Sequence, residues 1–270
     1  MTRFAQLAIA TGALFAAMPA QAADFVINTQ TGTSNGKTIV SNDSRYAYDT
    51  VNYAVTSADG KSTLNVRATA WTLLTNYTYQ AAKIGSWGSN GLGIYQTGES
   101  AGGNLHTIDN KNGWEFLVLQ FDQAVSLQSA VLNPYQLSGN NYSDNDAFIA
   151  RGTLGFDTAM TAANLKTLAD SLNVDTSKQS GDAWFNSNSK DYNGAAKQTY
   201  NLSPSKGGNV WVIGGSYFGP DDRNDAFKLN SIVVTSAVPE PTTWMTMILG
   251  FGMIGAAARR RRSTGKTQLV

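Results

Sequence analysis

From Thr63 to Ala70 polar and apolar residues alternate without a break, with Leu64, Val66, Ala68 and Ala70 on one side and Thr63, Asn65, Arg67 and Thr69 on the other. A period of two is that of a strand with one buried and one wet face, and no helix can use it. Val51, Tyr53 and Val55 repeat the pattern just upstream, and Ala58-Asp59-Gly60 supplies turn chemistry between the two runs. Segments 50–56 and 63–71 therefore predict an antiparallel hairpin.

The rest of the interior extends that reading. Asp24 to Asn28 suits a first strand. Glu115 to Phe121 is almost continuously apolar, and Val125, Leu127 and Val131 alternate with polar neighbours, so Asp122-Gln123-Ala124 reads as the turn of a second hairpin. Dense glycine between Gly85 and Gly103, around Trp87, Leu92 and Tyr95, reads as a long irregular loop. Leu165, Leu168 and Leu172 are spaced by three and four behind Thr161, which predicts one helix with a threonine cap. Residues 210–218 and 227–234 return to strand character, with Phe227, Leu229 and Val233 expected on one face and Lys228, Asn230 and Val234 on the other. The fold class this predicts is mostly β: an antiparallel β-sandwich of jelly-roll type with one short inserted helix.

The two ends obey different rules. Arg3, the apolar stretch Phe4 to Met18 and the small-x-small sequence Ala20-Gln21-Ala22 form a secretory signal, with cleavage by signal peptidase expected after Ala22. At the other end Pro239, Glu240 and Pro241 precede an uncharged run from Thr242 to Ala258, followed by Arg259, Arg260, Arg261 and Arg262. At ~1.5 Å per residue that run reaches ~25 Å, close to a ~30 Å hydrocarbon core, so a single transmembrane helix is expected. The arginines act as a stop on the cytoplasmic side, which places the body across the inner membrane. The expected organisation is a signal peptide at 1–22, a surface domain at 23–237 and a tail at 238–270.

Pro239-Glu240-Pro241, then Trp244, Met245, Met247, Ile248, Gly250, Phe251, Gly252 and Gly255 before the arginines, resembles the PEP-CTERM sorting signal of Gram-negative bacteria. That resemblance implies an exosortase as partner, which cleaves near Pro-Glu-Pro and passes the body to the cell surface or beyond; the nucleophile would belong to the exosortase. A second likeness covers residues 85–157. Gly91-Leu92-Gly93-Ile94, His106-x-Ile108-Asp109-Asn110 and the Leu-rich stretch from Glu115 to Leu127 look like a family of exosortase-dependent surface proteins, with which no catalytic activity travels.

Composition narrows the function classes. The chain has no cysteine, so an exported body cannot draw on disulfides or a thiol nucleophile. Between Ala23 and Val238, 14 Lys and Arg stand against 18 Asp and Glu. That excess of acid argues against nucleic acid as a partner. Gly250 to Gly255 spells GxGxxG, yet it lies in the apolar tail without a preceding strand, and Gly265-Lys266-Thr267 lacks the first glycine of a phosphate loop.

Few residues invite chemistry. His106 is the only histidine, and without a Gly-x-Ser-x-Gly elbow it is expected to hydrogen-bond to the Asp109-Asn110 turn. Glu99 and Glu115 are the only glutamates between the ends; two carboxylates could serve glycoside hydrolysis, but that depends on a separation the sequence does not fix. Asp144 and Asp146, with Asp221, Asp222 and Asp225, form two oxygen-rich loops that would supply Ca²⁺ ligands if they converged; no other cofactor is expected. Trp87, Tyr95 and Trp184 lie in or beside loops and would either hold sugar rings or plug the ends of the sandwich. The expected role is non-enzymatic: a surface or matrix protein, structural or adhesive, associated with exopolysaccharide. A calcium-dependent carbohydrate-binding module is the alternative, and a polysaccharide hydrolase or lyase comes third.

Overall fold

The computed structural model of the chain describes residues 22–40, 47–99, 106–138, 146–172, 183–186, 197–201, 207–216, 224–236 and 250–254. The chain divides into two units, Ala22–Ala237 and the paired ends Met1–Gln21 with Val238–Val270. Of the second unit only residues 250–254 are described, as helix, with Phe251, Met253 and Ile254 exposed. Among the described residues no helix is long and apolar enough to cross a membrane, and the expected span at 242–258 lies outside them apart from those five.

The predicted hairpin forms. Strand β4 (Val51–Thr56) pairs with β5 (Thr63–Leu73) from Val51 opposite Ala68 to Thr56 opposite Thr63. Its turn is closed by Ser57 and Asp59, whose side chains bond each other at 2.6 Å. The remaining strands are β1 (Asp24–Asn28), β2 (Thr33–Ser34), β3 (Lys37–Thr38), β6 (Tyr79–Ser86), β7 (Leu92–Tyr95), β8 (Ile108–Asp109), β9 (Trp114–Pro134), β10 (Ala147–Gly152), β11 (Ala183–Asn186), β12 (Gln198–Asn201), β13 (Gly208–Gly215) and β14 (Ala226–Ser236). Helix α1 covers Ala162–Leu172, and the Thr161 hydroxyl caps it by accepting from the Asn164 amide at 3.1 Å, as its sequence predicts.

The expected two-sheet sandwich does not form; one sheet closes on itself. Strands β9, β14, β7, β6 and β5 are neighbours in that order, and β5 returns to pair with β9, which makes a five-stranded antiparallel barrel with further strands outside the ring. The cause is β9. Asp122-Gln123-Ala124 is not a hairpin turn: it offers neither glycine nor proline, and the chain stays extended through it with all three residues exposed. One strand of 21 residues results, whose first part pairs with β5 and β13 and whose second part pairs with β14 and β12. Where it changes partners, the pairs Gly208–Val125 and Val210–Gln120 leave residues 121–124 of β9 opposite Asn209 alone. A bulge of that size bends a strand, and a bent strand shared by two sheet halves closes a barrel.

Inside the ring Leu64, Val66, Leu119, Phe121, Leu132, Phe227 and Leu229 join one buried cluster, and Phe25 and Ile27 of β1 complete it. The other face of early β9 is covered too. Phe116, Val118, Phe148, Val210 and Val212 pack beneath Leu165 and Leu168 of α1, which explains why Glu115 to Phe121 reads as apolar throughout. Each such side chain, fully buried, contributes about 1.5–3 kcal/mol of transfer free energy.

Two further expectations are corrected. The glycine-rich segment 85–103 contains the strand β7, which pairs with β6 from Lys83–Tyr95 to Ser86–Leu92. In β14 the register against β9 slips between Leu229 and Ser231, so the inward face passes from Phe227 and Leu229 to Ile232 and Val234, and Val233 points away. A one-residue slip exchanges the faces of everything beyond it.

Candidate functional site

The two glutamates and the single histidine of the body meet at one end of the barrel. Three elements bring them there: the turn after β7 carries Glu99, the run into β8 carries His106 and Asp109, and the start of β9 carries Glu115. The local backbone is built for close approach. Gly91 adopts φ 105°, where a side chain on it would lie 2.4 Å from the Leu229 carbonyl oxygen. A Cβ on Gly93 would stand 2.1 Å from the His106 carbonyl, so this glycine lets the lead into β8 lie directly on β7.

Asp109 is the hub. Its amide donates to Glu115 Oε2 at 3.3 Å, while its own carboxylate accepts from the Lys111 amide at 3.0 Å and the Thr107 hydroxyl at 3.1 Å. Glu99 Oε2 accepts from the Gln96 amide at 3.4 Å and lies 3.9 Å from His106 Nδ1. The Glu99 side chain is 2 % exposed and Glu115 is 1 % exposed, and among the described residues the Oε1 atom of each has no hydrogen-bond partner.

Burial and mutual repulsion set the protonation of this group. Burial, reinforced by the charge of Asp109, pushes Glu99 up to about 7. Burial lifts Asp109 to about 6 despite its hydrogen bonds and Lys111. Glu115 is driven well above the ordinary range, first by burial and then by Asp109 and Glu99. Burial first, and like charge second, therefore favour the protonated form across this group.

Cations nearby do not neutralise them. His106 has no hydrogen-bond partner at either ring nitrogen; it packs on Tyr95, with ring centroids 4.0 Å apart, and burial with the neighbouring Lys228 lowers its affinity for a proton. The expected bond from His106 to the Asp109-Asn110 turn is therefore absent. Lys228, 4 % exposed, rests its ammonium over the rings of Tyr135 at 3.7 Å and Trp87 at 4.5 Å, and burial brings it down to about 8. Trp87 also stacks on Tyr95 at 5.4 Å, so these rings spend their surface on one another and on Lys228.

The other expected site residues are placed as follows. Asp146 and Asp225 do converge: the Ser216 amide donates both to the Asp146 carbonyl at 3.1 Å and to Asp225 Oδ2 at 2.9 Å, and Asn110 bonds to Asp225 from its side. Both aspartates are fully buried. Among the described residues no group of three His, Asp or Glu side chains could hold a metal ion. Asp144, Asp221 and Asp222 lie outside the described residues, as do Ala20, Pro239, Glu240, Pro241 and Arg259 to Arg262, and of Trp184 only the backbone of β11 is described, opposite Ile149. Ala22 is exposed beside β1.

Lys228 is the member the sequence did not single out, and Asp109 was expected only as the turn partner of His106. A lone lysine between Phe227 and Leu229 was the available signal for the first. For the rest the signal was rarity, since a body with two glutamates and one histidine gathers all three in one place.

Two findings place the chain among known proteins. The family model of the PEP-CTERM protein-sorting motif matches residues 237–262, beginning directly after the last residue of β14. No curated protein and no solved structure matches the chain.

Proposed function

We propose that the body is a non-enzymatic structural or adhesive module of the bacterial surface or extracellular matrix, delivered by its sorting tail and associated with exopolysaccharide. The sorting motif at 237–262 carries this reading, because it makes the chain an exosortase-targeted protein. Its placement supports the mechanical part. The tail leaves from β14, which pairs with β1, β7, β8 and β9, so a pull on the tail is resisted by hydrogen bonds to four strands. The start of the expected mature chain sits beside that exit: the Ser236 amide donates to the Ala23 carbonyl at 2.8 Å, and the Ala23 nitrogen donates to the Ser236 hydroxyl at 2.9 Å.

Glu99 and Glu115 meet, as glycoside hydrolysis would require, but both are sealed from solvent, which disfavours a role in cutting polysaccharide. The second reading is a calcium-dependent carbohydrate-binding module, for which the closeness of the two acidic segments is the relevant observation: the Ser216 amide meets the Asp146 carbonyl and the Asp225 carboxylate. One experiment separates the readings. The surface-recovered chain is mixed with exopolysaccharide from the producing strain and sedimented, with and without chelator. Retention that ignores the chelator is the expected result; retention lost with chelator selects the calcium reading. Absence of retention, or release of soluble sugars, overturns the proposal.

A further inference from the structure

The carboxyl cluster and the tail exit occupy opposite ends of β14. Ala226 pairs with Asp109 at one end and Ser236 meets Ala23 at the other, and 11 residues of strand span about 34 Å. We propose that the distal end is a pH-sensitive seam, in which the turn carrying Glu99 and the short strand β8 stay seated on β9 only while protons occupy the buried carboxyls between them.

The geometry leaves few alternatives. Glu99, Asp109 and Glu115 come from three separate segments, so ionising them sets like charges across the junction rather than along one element. Two of their oxygens have no donor. Among the described residues the charged and titratable groups around them are His106 beside Glu99, Lys111 beyond Asp109, Lys228 from β14, Tyr135 after β9, and Asp225, reached through Asn110. None of the cations makes a hydrogen bond to the three carboxyls: Lys111 Nζ is given to the Ser138 carbonyl, and Lys228 to two aromatic faces.

The sign follows from linkage. A carboxyl raised in the folded state is protonated there more readily than in the open chain, so folding is favoured fully below its ordinary range and loses support as pH rises toward about 7, the value for Glu99. Lys228 acts in the opposite sense. Its lowered value of about 8 means that the folded state resists charging, so its penalty is complete below 8 and fades as pH climbs toward the ordinary lysine range. His106, also lowered, opposes the carboxyls below neutrality, as one group against three. The penalties of Glu99 and Lys228 are both present between pH 7 and 8, and Glu115, held well above the ordinary range, goes on losing support there, in a range where many proteins are most stable.

The test is a series of melting temperatures from pH 5 to 10 on the full chain, with hydrogen exchange at the Ile94 and Asp109 amides, which bond to Thr107 and Glu115 across the seam. A fall in melting temperature from pH 5 to 8 is expected. After correction for intrinsic exchange, opening at these amides rises roughly tenfold per pH unit for each proton released. A Glu99→Gln, Glu115→Gln double variant flattens the limb from pH 5 to 7 and melts higher than the parent at pH 8. Should that variant not fold, carbon-13 titration of the glutamate carboxyls in the parent decides: a Glu99 midpoint near 7 upholds the seam. A Glu99 midpoint in the ordinary 4 to 5 range, a melting maximum at neutrality, or an unchanged acid limb in the double variant would each overturn it.

Discussion

Gly91→Ala is expected to destabilise the body by about 2–6 kcal/mol, lowering its melting temperature by roughly 10 °C. Two costs combine. Gly91 holds φ 105° and ψ −169°, a region essentially reserved for glycine, and a side chain there costs about 1–3 kcal/mol in backbone strain alone. The added methyl would also stand 2.4 Å from the Leu229 carbonyl, and overpacking against backbone that cannot rotate away adds a further ~1–3 kcal/mol. The position matters as much as the sum. Pairing of β14 with β7 rests on the single register pair Leu229–Leu92, so the variant strikes the narrowest joint of the ring. Gly60→Ala is the control: its φ is also positive, at 73°, but nothing lies within 4 Å, and the loss should stay near ~1 kcal/mol. Thermal melts of the two variants separate the clash from the strain.

Trp211→Ala should cost a similar ~3–5 kcal/mol by a different route. Trp211 is 1 % exposed and packs in the barrel cluster from β13, outside the ring itself. Its indole nitrogen donates to the Val125 carbonyl at 3.2 Å and the Gly208 carbonyl at 3.3 Å, at the place where β9 bends and changes partners. Truncation leaves a cavity and removes the donor that ties the bend to β13. Trp211→Phe keeps most of the volume and loses only the donor, so a drop of about 1–2 kcal/mol is expected from it. Denaturant midpoints of the pair apportion packing and hydrogen bonding; equal losses in both would show that the bend does not depend on the ring.

The elements legible in the sequence were those whose burial is one-sided. Leu64 to Ala70 face a core on one side and water or a neighbour on the other, so period two survives, and the leucines of α1 keep period three and four for the same reason. Strand β9 hid itself. Its first part is buried on both faces, and Asp122-Gln123-Ala124 is exposed because the strand bends there, which makes it look like a turn. Strand β7 was masked by Gly91 and Gly93, whose missing side chains serve the close approach of β14 and of the lead into β8. Closure of the ring was beyond reach for a more general reason. Inward and outward alternation is the same in a barrel and in a sandwich, and only the long-range pairing of β5 with β9 distinguishes them.

The candidate site was half legible. Rarity singled out Glu99, Glu115 and His106, and of the bonds expected for them the one from the histidine to the Asp109-Asn110 turn is absent. The approach of Glu99 to Asp109 is a product of folding, with β8 held on β14. Asp146 and Asp225 were expected to gather oxygen for a cation; both meet the Ser216 amide, Asp146 through its backbone carbonyl and Asp225 through its carboxylate.

The most direct test of the whole account is the intact mass of the chain recovered from the surface of the producing cells. Loss of residues 1–22 and of everything beyond the Pro239-Glu240-Pro241 region is the predicted result, with any excess mass reporting added glycan. A chain whose mass still includes Arg259 to Arg262 would contradict processing by the sorting tail and, with it, the delivery on which the proposed role depends.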